Sequence, residues 1–436
     1  MLKWRVSSIK PTADAWSTSP MRLSSERLAR YFTVQVPIGT NISAMAAEVR
    51  RFDQIIECAE TDGLGGLLDG PIPSDPLFSS QYYLYNTGQV IEGIPGIPGA
   101  GARVRQAWEF SIGIDDTVVA VLDTGVSTSH PELMGRLVPG QNFTVSPPTA
   151  ETDDSWYISH GTGCAGLIAA ATNNEQGIAG ISWRARIMPV KVANTFGMSS
   201  ESQCANGLIW ATDHGASIAS ISLGFAQGSS FFADAVRYAI DRNVLVCASS
   251  GNTPGVPIFY PARFPRVAAV GATNNRDELA TFTTTGPEMF MCAPGIDILT
   301  TWDTNLNPNG YEFASGTSFA CPIVAGVASL VIAADRTLTA EQTRFVLLLT
   351  ANDLGPVGRD DSFGWGRVNA RDAVLLASNR VPNDCGADYN RDGSVNSSDL
   401  FEFLEQYLSG QGDYNHDGRT DSDDLFEFLA HFFVGC

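Results

Sequence analysis

Runs of apolar residues that alternate with helical stretches dominate the chain between residues 81 and 378. The strand-like runs are TVVAVLD, ARIMPVKV, SIASISLG, VLVCASSGN and RVAAVGAT, and SQCANGLIWATDHG and FFADAVRYAIDRN lie between them. Strands that are apolar along their whole length are buried on both faces, which is typical of a parallel sheet covered by helices. We therefore predict a doubly wound α/β domain with a mostly parallel sheet over residues 75–377.

Shorter segments flank this predicted domain. Residues 1–28 are polar and are expected to be irregular. YFTVQVP, NISAMAAEVRRF and QIIECAE then follow the pattern strand, helix, strand and predict a small α+β unit. We expect an N-terminal extension over residues 1–72, a linker over 378–384 and a separate module over 385–436.

Charge, cysteine spacing and hydropathy exclude several classes of protein. The formal net charge of −20 argues against a nucleic-acid backbone as partner, because phosphates favour Lys and Arg. The eight cysteines include no CxxC pair of the kind that binds zinc. We expect no transmembrane segment, and the N-terminal MLKWRVSSIKPTADAW lacks the apolar region of a signal peptide.

The C-terminal module contains two copies of one acidic motif. Residues 385–436 hold eleven Asp or Glu and two Arg, a local formal charge of 2 − 11 = −9. Oxygen-bearing side chains fall at loop positions 1, 3, 5, 9 and 12, with glycine at position 6, as in calcium-binding loops. The predicted ligands of the first loop are Asp388, Asn390, Asp392, the Ser394 carbonyl, Asn396 and Asp399. Those of the second are Asp413, Asn415, Asp417, the Arg419 carbonyl, Asp421 and Asp424.

Each loop is followed by an apolar helix, DLFEFLEQYL or DLFEFLAHFF, and the first has no helix before it. This arrangement resembles a dockerin-type module, which implies a cohesin-like or cell-surface protein as partner. The alternative is a calcium-stabilised cap without a partner. Cys385 and Cys436 bracket the module, and we expect a disulfide between them, hence an oxidising compartment.

Three residues in the predicted α/β domain combine into a catalytic arrangement. Asp123 ends the run TVVAVLD, His160 opens HGTGCAGLIAAA, and Ser318 starts a long apolar helix in GTSFACP. Alone, each also fits a structural role: a turn aspartate, a buried histidine or a helix cap. Together they supply a nucleophile, a base and a carboxylate that orients the base. Pro322 is expected to lie in the first turn of the helix, where no intrahelical N–H bond is lost.

These residues lie in motifs that resemble the subtilisin-like serine protease family from about residue 75 to residue 377. The matching stretches are VLDTGV, HPEL, HGTGCAG, NNEQGIAGIS, ISLG, SSGN, YPARFP, CAPG, GTSFACP and GWGRVNA. The resemblance implies a secreted endopeptidase that cleaves polypeptides through an acyl-enzyme intermediate. It assigns the oxyanion donor to Asn252. It assigns substrate binding to Ser222, Leu223, Gly224, Ala248, Ser249, Ser250 and Gly251.

The thermitase-like branch of this family also implies a calcium site in the catalytic domain. Its ligands would be the side chains of Asp75, Glu132 and Asn174 and the carbonyls of Ala171, Gln176 and Ile178. Glu132 stands where an aspartate is usual. The alternative is a loop ordered by its asparagine side chains alone.

The unit at residues 30–61 resembles a subtilisin propeptide by its position before the predicted catalytic domain. This resemblance implies synthesis as a zymogen. The alternative is an extension without function.

The sequence also leaves two alternative functions open for the whole chain. One is a binding protein with an inactive protease-like domain, and the other is an intracellular processing protease, which the missing signal peptide favours. The triad opposes the first, and the calcium tail with its paired cysteines opposes the second.

Overall fold

The computed structural model describes residues 2–6, 31–34, 56–61, 70–154, 158–378 and 397–409, with the single positions 389, 411, 412, 420 and 428. By backbone proximity the chain divides into two units. One comprises residues 69–379 and contains the predicted α/β domain. The other comprises residues 1–68 and 380–436.

The strands and helices are numbered in chain order over the described residues. The strands are β1 (Leu2–Val6), β2 (Tyr31–Val34), β3 (Ile56–Thr61), β4 (Val90–Ile91), β5 (Ile94–Pro95), β6 (Val118–Asp123), β7 (Gln141–Asn142), β8 (Arg186–Lys191), β9 (Ile218–Ile221), β10 (Leu245–Ser249), β11 (Ala268–Thr273), β12 (Met289–Pro294), β13 (Ile298–Thr301) and β14 (Tyr311–Ala314). The helices are α1 (Val104–Ala107), α2 (His160–Ala169), α3 (Glu201–Asp213), α4 (Ser230–Asp241), α5 (Thr317–Ala334), α6 (Ala340–Leu349), α7 (Ala370–Ser378) and α8 (Ser397–Leu408).

A seven-stranded sheet in the order β12-β11-β10-β9-β6-β8-β7 forms the centre of residues 70–378. Its strand pairs are parallel, as the uninterrupted apolar runs predicted. The chain leaves β6 toward β8 on one side and later returns to β9 on the other. The carboxyl end of β6 is therefore a topological switch point, where ligands bind in open α/β sheets. Asp123 is the last residue of β6.

Helix α5 is buried along most of its length and packs against β9, β10, β11 and β12. By length and composition alone, it is long and apolar enough to cross a membrane. In the structure 78% of its apolar window is buried, which is the environment of a core helix. Helices that are apolar all round are found in protein cores as well as in membranes.

The N-terminal strands form a separate antiparallel sheet in the order β2-β1-β3. Strands β2 and β3 agree with the predicted runs YFTVQVP and QIIECAE. Residues 1–28 are not irregular throughout, because Leu2–Val6 forms the central strand of this sheet. The predicted helix NISAMAAEVRRF lies outside the described residues.

The C-terminal module is described in part. Helix α8 covers the predicted stretch DLFEFLEQYL, and the rings of Phe403 and Phe428 stack 4.1 Å apart with neither exposed. Asp399 lies in the first turn of α8 and is fully buried. The other predicted ligands of the two loops lie outside the described residues, as do Cys385 and Cys436. These are Asp388, Asn390, Asp392, Ser394, Asn396, Asp413, Asn415, Asp417, Arg419, Asp421 and Asp424.

Candidate active site

Asp123 and His160 form a hydrogen-bonded pair at the carboxyl end of the sheet. His160 Nδ1 lies 2.8 Å from Asp123 Oδ1, and Asp123 has no exposed surface. The backbone N–H of Thr124 donates to the same oxygen at 2.7 Å, which fixes the carboxylate. Burial opposes a charged imidazole, but the charge and hydrogen bond of Asp123, together with the charge of Asp154, outweigh burial, so the pKa of His160 is raised. The proton on Nδ1 leaves Nε2 as the nitrogen that can accept another.

The start of α2 is held by residues that follow β6 and by a buried carboxylate. The N–H of Gly161 donates to Thr124 Oγ1 at 3.0 Å, and the N–H of Thr162 donates to Asp154 Oδ2 at 2.9 Å. These bonds satisfy N–H groups that the first turn of a helix leaves without partners. A Cβ on Gly161 would lie 2.1 Å from the Gly125 carbonyl oxygen, so only glycine permits this approach. His160, the first residue of α2, is thereby held against Asp123.

Ser318 is the second residue of α5, so its backbone N–H has no acceptor within the helix. Its hydroxyl donates to the Ser222 carbonyl at 3.4 Å. The adjacent Phe319 ring lies 5.4 Å, centroid to centroid, from the His160 ring, and the Cys164 thiol donates to the Ser318 carbonyl at 3.4 Å. The structure therefore brings Ser318 to the helix that carries His160.

Pro322 does not lie in the first turn of α5, because the helix begins at Thr317. Having no N–H, Pro322 leaves the carbonyl of Ser318 without its usual partner four residues later. That oxygen accepts a hydrogen bond from Ser222 Oγ at 2.7 Å as well as the one from Cys164. The proline thus frees an acceptor that ties the Ser318 backbone to the segment after β9.

Asn252 is oriented by the residue before Ser318. Its Oδ1 accepts hydrogen bonds from Thr317 N and from Thr317 Oγ1, both at 2.9 Å. Because the oxygen is occupied on that side, the Nδ2 group remains as the free donor of the amide. That nitrogen lies 3.3 Å from the position of a Cβ on Gly316. The donor of Asn252 is therefore close to the start of α5.

The predicted substrate-binding residues lie on two neighbouring segments. Ser222, Leu223 and Gly224 follow β9 directly, and Gly224 is exposed. In the second segment the side chains of Ala248, Ser249 and Ser250 are buried, and only Gly251 has intermediate exposure. Of this segment, Gly251 therefore offers the largest accessible surface.

The predicted calcium ligands meet at the loop after α2. Asp75 Oδ2 accepts from Asn173 N at 2.7 Å, and Glu132 Oε2 accepts from Asn174 Nδ2 at 3.0 Å. Both carboxylates are at least 97% buried, and burial raises the pKa of each; Asp75 raises that of Glu132 further. Asp75 Oδ1 is buried with no hydrogen-bond partner among the described residues.

The other members of this set are placed by the same loop. The N–H of Ala171 donates to the Glu132 carbonyl at 2.8 Å, and the N–H of Gln176 donates to Asn174 Oδ1 at 2.9 Å. Glu132 Oε1 accepts from Tyr311 Oη at 2.8 Å and from Ile178 N at 3.3 Å. Two buried carboxylates with one orphaned oxygen suit a hard cation, which takes oxygen ligands.

Sequence reasoning missed the residues that orient the predicted site. Thr124, Asp154 and Thr317 each hold a predicted functional residue or its helix through one hydrogen bond or more. Thr317 adjoins Ser318 in GTSFACP, and Thr124 adjoins Asp123 in VLDTGV, so these two stood inside recognised motifs. Asp154 lies six residues before His160 and carried no local signal.

The chain is similar to known proteases in sequence and in structure. The family model described as "Subtilase family" matches residues 115–366. Thermitase of Thermoactinomyces vulgaris is 36% identical over 302 residues, which cover 69% of this chain and 99% of that protein. The minor extracellular protease Epr of Bacillus subtilis is 36% identical over 284 residues, 64% of this chain and 42% of that protein. A solved protease from Pseudoalteromonas arctica matches with a TM-score of 0.62 and 26% identity over 71% of this chain and all of its own.

Proposed function

The chain belongs to the subtilase family and is a serine endopeptidase, and from this premise we propose that Asp123, His160 and Ser318 are its catalytic triad. The observation that supports this assignment best is the 2.8 Å bond between His160 Nδ1 and the fully buried Asp123. It selects the imidazole tautomer whose free nitrogen can act as a base. The substrates are polypeptides.

We propose the following mechanism for this triad. His160 Nε2 takes the proton from Ser318 Oγ as that oxygen attacks the scissile carbonyl, and Asp123 stabilises the imidazolium that forms. Asn252 Nδ2 and the Ser318 N–H donate to the developing oxyanion. His160 then protonates the leaving amine, which leaves an acyl group on Ser318. A water molecule, deprotonated by His160, hydrolyses that ester and regenerates the enzyme.

Asn252→Ala is expected to lower kcat by about 10²–10³-fold while KM changes little, because the amide is used mainly in the transition state. Steady-state hydrolysis of a peptide p-nitroanilide measures both constants. Asn305→Ala, which removes an exposed amide elsewhere, serves as the control. A large rise in KM with normal kcat would assign Asn252 to substrate binding instead.

We further infer a calcium ion bound by Asp75, Glu132, Asn174 and the loop carbonyls of Ala171, Gln176 and Ile178. The support is the orphaned Asp75 oxygen beside a second buried carboxylate. The bound ion supplies positive charge to two carboxylates that otherwise repel each other. Asp75 and the loop would thereby be fixed to Glu132, and the ion would stabilise the native state.

Removal of calcium is expected to lower the melting temperature of the full chain by about 5 °C. When free calcium is in hundredfold excess over Kd, its binding stabilises the native state by about 2.7 kcal/mol, and this stabilisation is lost on removal. Asp75→Asn should lower the melting temperature in calcium. In EDTA it should equal or exceed the wild type, because one of two repelling carboxylates is gone. Asp234→Asn, whose ion pair with Arg237 is exposed, is the control. If calcium changes the melting temperature of the wild type and of Asp75→Asn by the same amount, the proposed site is wrong.

The C-terminal module is proposed to bind two calcium ions and to dock a cohesin-like or cell-surface protein. The duplicated loop spacing supports this, as does the burial of Asp399 at position 12 of the first loop. The stacked Phe403 and Phe428 provide a small apolar core. Metal binding would stabilise a module whose core is too small to fold readily alone.

Each loop is expected to hold one ion independently. Equilibrium dialysis of the full chain should give one bound calcium fewer for Asp388→Ala and one fewer for Asp413→Ala. Thiol counting under denaturing, non-reducing conditions should find six of the eight cysteines free, because Cys385 and Cys436 pair. Unchanged calcium binding in both variants, or eight free thiols in protein from the native host, would contradict the proposal.

Secretion, or attachment at the cell surface, completes the proposed function. The name of one relative, the minor extracellular protease Epr, places that protein outside the cell. The expected disulfide and calcium module suit the same compartment. Residues 30–61, which contain β2 and β3, are proposed to act as a propeptide. Detection of the mature chain in culture supernatant, with its N-terminus after residue 61, tests both statements.

A further inference from the structure

Two glycines, one in each of the segments that are proposed to flank the substrate, both lie close to Phe259. Gly224 follows β9, and Gly251 follows β10. Under the proposed function, on which this inference rests, these segments bracket the residue on the N-terminal side of the scissile bond. The space between them therefore decides which side chain that residue can have.

The ring of Phe259 occupies this space. A Cβ on Gly251 would lie 2.4 Å from Phe259 Cδ2 and 2.9 Å from Cε2. A Cβ on Gly224 would lie 3.0 Å from Phe259 Cβ and 3.3 Å from Cγ. Carbon atoms in van der Waals contact lie about 3.5–4.0 Å apart, so Phe259 already packs against both backbones. Phe259 is only partly buried, so part of this residue remains accessible to solvent.

The backbone around Phe259 is tied to both walls. Its N–H donates to the Ser250 carbonyl at 3.1 Å on one side. On the other side, Tyr260 and Phe225 exchange two backbone hydrogen bonds of 2.9 and 2.8 Å. The Gly251 carbonyl accepts from Thr284 N at 2.9 Å. Spreading the walls to admit a large side chain would break several of these bonds.

We propose that Phe259 closes the floor of this slot and restricts the residue before the scissile bond to small side chains such as glycine, alanine and serine. A small side chain contacts the open face of the ring. An aromatic or long aliphatic side chain can enter only if it displaces the Phe259 ring. The substrate class of this protease is therefore polypeptides cleaved after small residues.

The test uses three peptide p-nitroanilides that differ only in having Ala, Leu or Phe before the scissile bond. For the wild type, kcat/KM should be at least about tenfold higher with Ala than with Phe, the discrimination that pocket size provides. Phe259→Ala should raise kcat/KM for the Phe substrate by about tenfold or more. Phe259→Leu retains much of the bulk of the side chain. Its kcat/KM for the Phe substrate should therefore lie between those of the wild type and Phe259→Ala.

Phe110→Ala, which removes a 39% exposed phenylalanine elsewhere, should leave the ratio of the substrates unchanged. Titration of active sites with a fluorophosphonate shows how much of each variant is folded and active. A wild type that cleaves the Phe substrate as fast as the Ala substrate overturns the inference, whether or not Phe259→Ala folds. An active Phe259→Ala with an unchanged ratio does the same.

The results that would contradict the proposed function differ from those that would contradict only the inference about Phe259. If the wild type cleaves none of the three substrates and does not react with the fluorophosphonate, the triad assignment is wrong, and the inference falls with it. If the wild type reacts with the fluorophosphonate and shows no preference for small residues, only the inference about Phe259 is wrong.

Discussion

Ser318→Ala is expected to lower kcat for peptide hydrolysis by about 10⁶-fold, because alanine has no nucleophile to form the acyl-enzyme. The substitution removes one oxygen from a residue in the first turn of α5. The fold should survive, since the Ser318 carbonyl keeps its bonds from Ser222 and Cys164. Circular dichroism and the melting temperature should therefore stay close to those of the wild type.

Ser329→Ala is the matched control for this variant. Ser329 lies in the same helix and its hydroxyl donates only to the Gly326 carbonyl at 2.6 Å. Its kcat should equal that of the wild type. A residual rate of Ser318→Ala of about 10³–10⁴-fold over water agrees with the mechanism, because the oxyanion donors remain. A rate within tenfold of the wild type would require another nucleophile.

Asp123→Asn is expected to lower kcat by about 10⁴-fold at neutral pH. The side chain at this position accepts from Thr124 N and from His160 Nδ1. An asparagine amide can donate to Nδ1, which places the imidazole proton on Nε2, where it blocks proton abstraction from Ser318. Loss of the carboxylate also removes the charge that raises the pKa of His160. The midpoint of the imidazole titration should therefore move to lower pH.

Asp153→Asn controls for the loss of one negative charge near the site, because the Asp153 carboxylate is exposed and accepts from Thr128. It should leave kcat and the pH profile close to those of the wild type. NMR titration of the histidine ring protons measures the His160 midpoint directly. An Asp123→Asn enzyme with wild-type kcat would show that Asp123 does not select the tautomer.

The parallel sheet was predictable because β9, β10 and β11 are buried along their whole length, and β6 and β8 are buried except at their ends. Each of these strands therefore forms an apolar run in the sequence. Strand β12 is equally buried but was not singled out as a strand. Strand β1 was missed although Leu2, Trp4 and Val6 alternate with charged residues in the pattern of a strand. Its partners are 25 or more residues away, so short-range reasoning placed it in an irregular segment.

The site was predictable as far as its motifs extend. Asp123, His160 and Ser318 each lie in a sequence motif from which their catalytic roles were predicted. Their orientation depends on pairs far apart in sequence, such as Asn252 with Thr317 and Ser222 with Ser318. The role of Pro322 was misread, because its effect on the Ser318 carbonyl appears only once the start of α5 is known. In the sequence Phe259 is an ordinary apolar residue, and its contacts with Gly224 and Gly251 appear only in the structure.

The triad assignment is tested most directly by covalent labelling of the full chain with a fluorophosphonate, followed by mass mapping of the labelled peptide. We predict one label per molecule on Ser318, none on Ser318→Ala, and strongly slowed labelling of His160→Ala, which has no base to activate the hydroxyl. Ser329→Ala should label at the wild-type rate. A label on another residue, or unchanged labelling of Ser318→Ala, would contradict the assignment of Ser318 as the nucleophile.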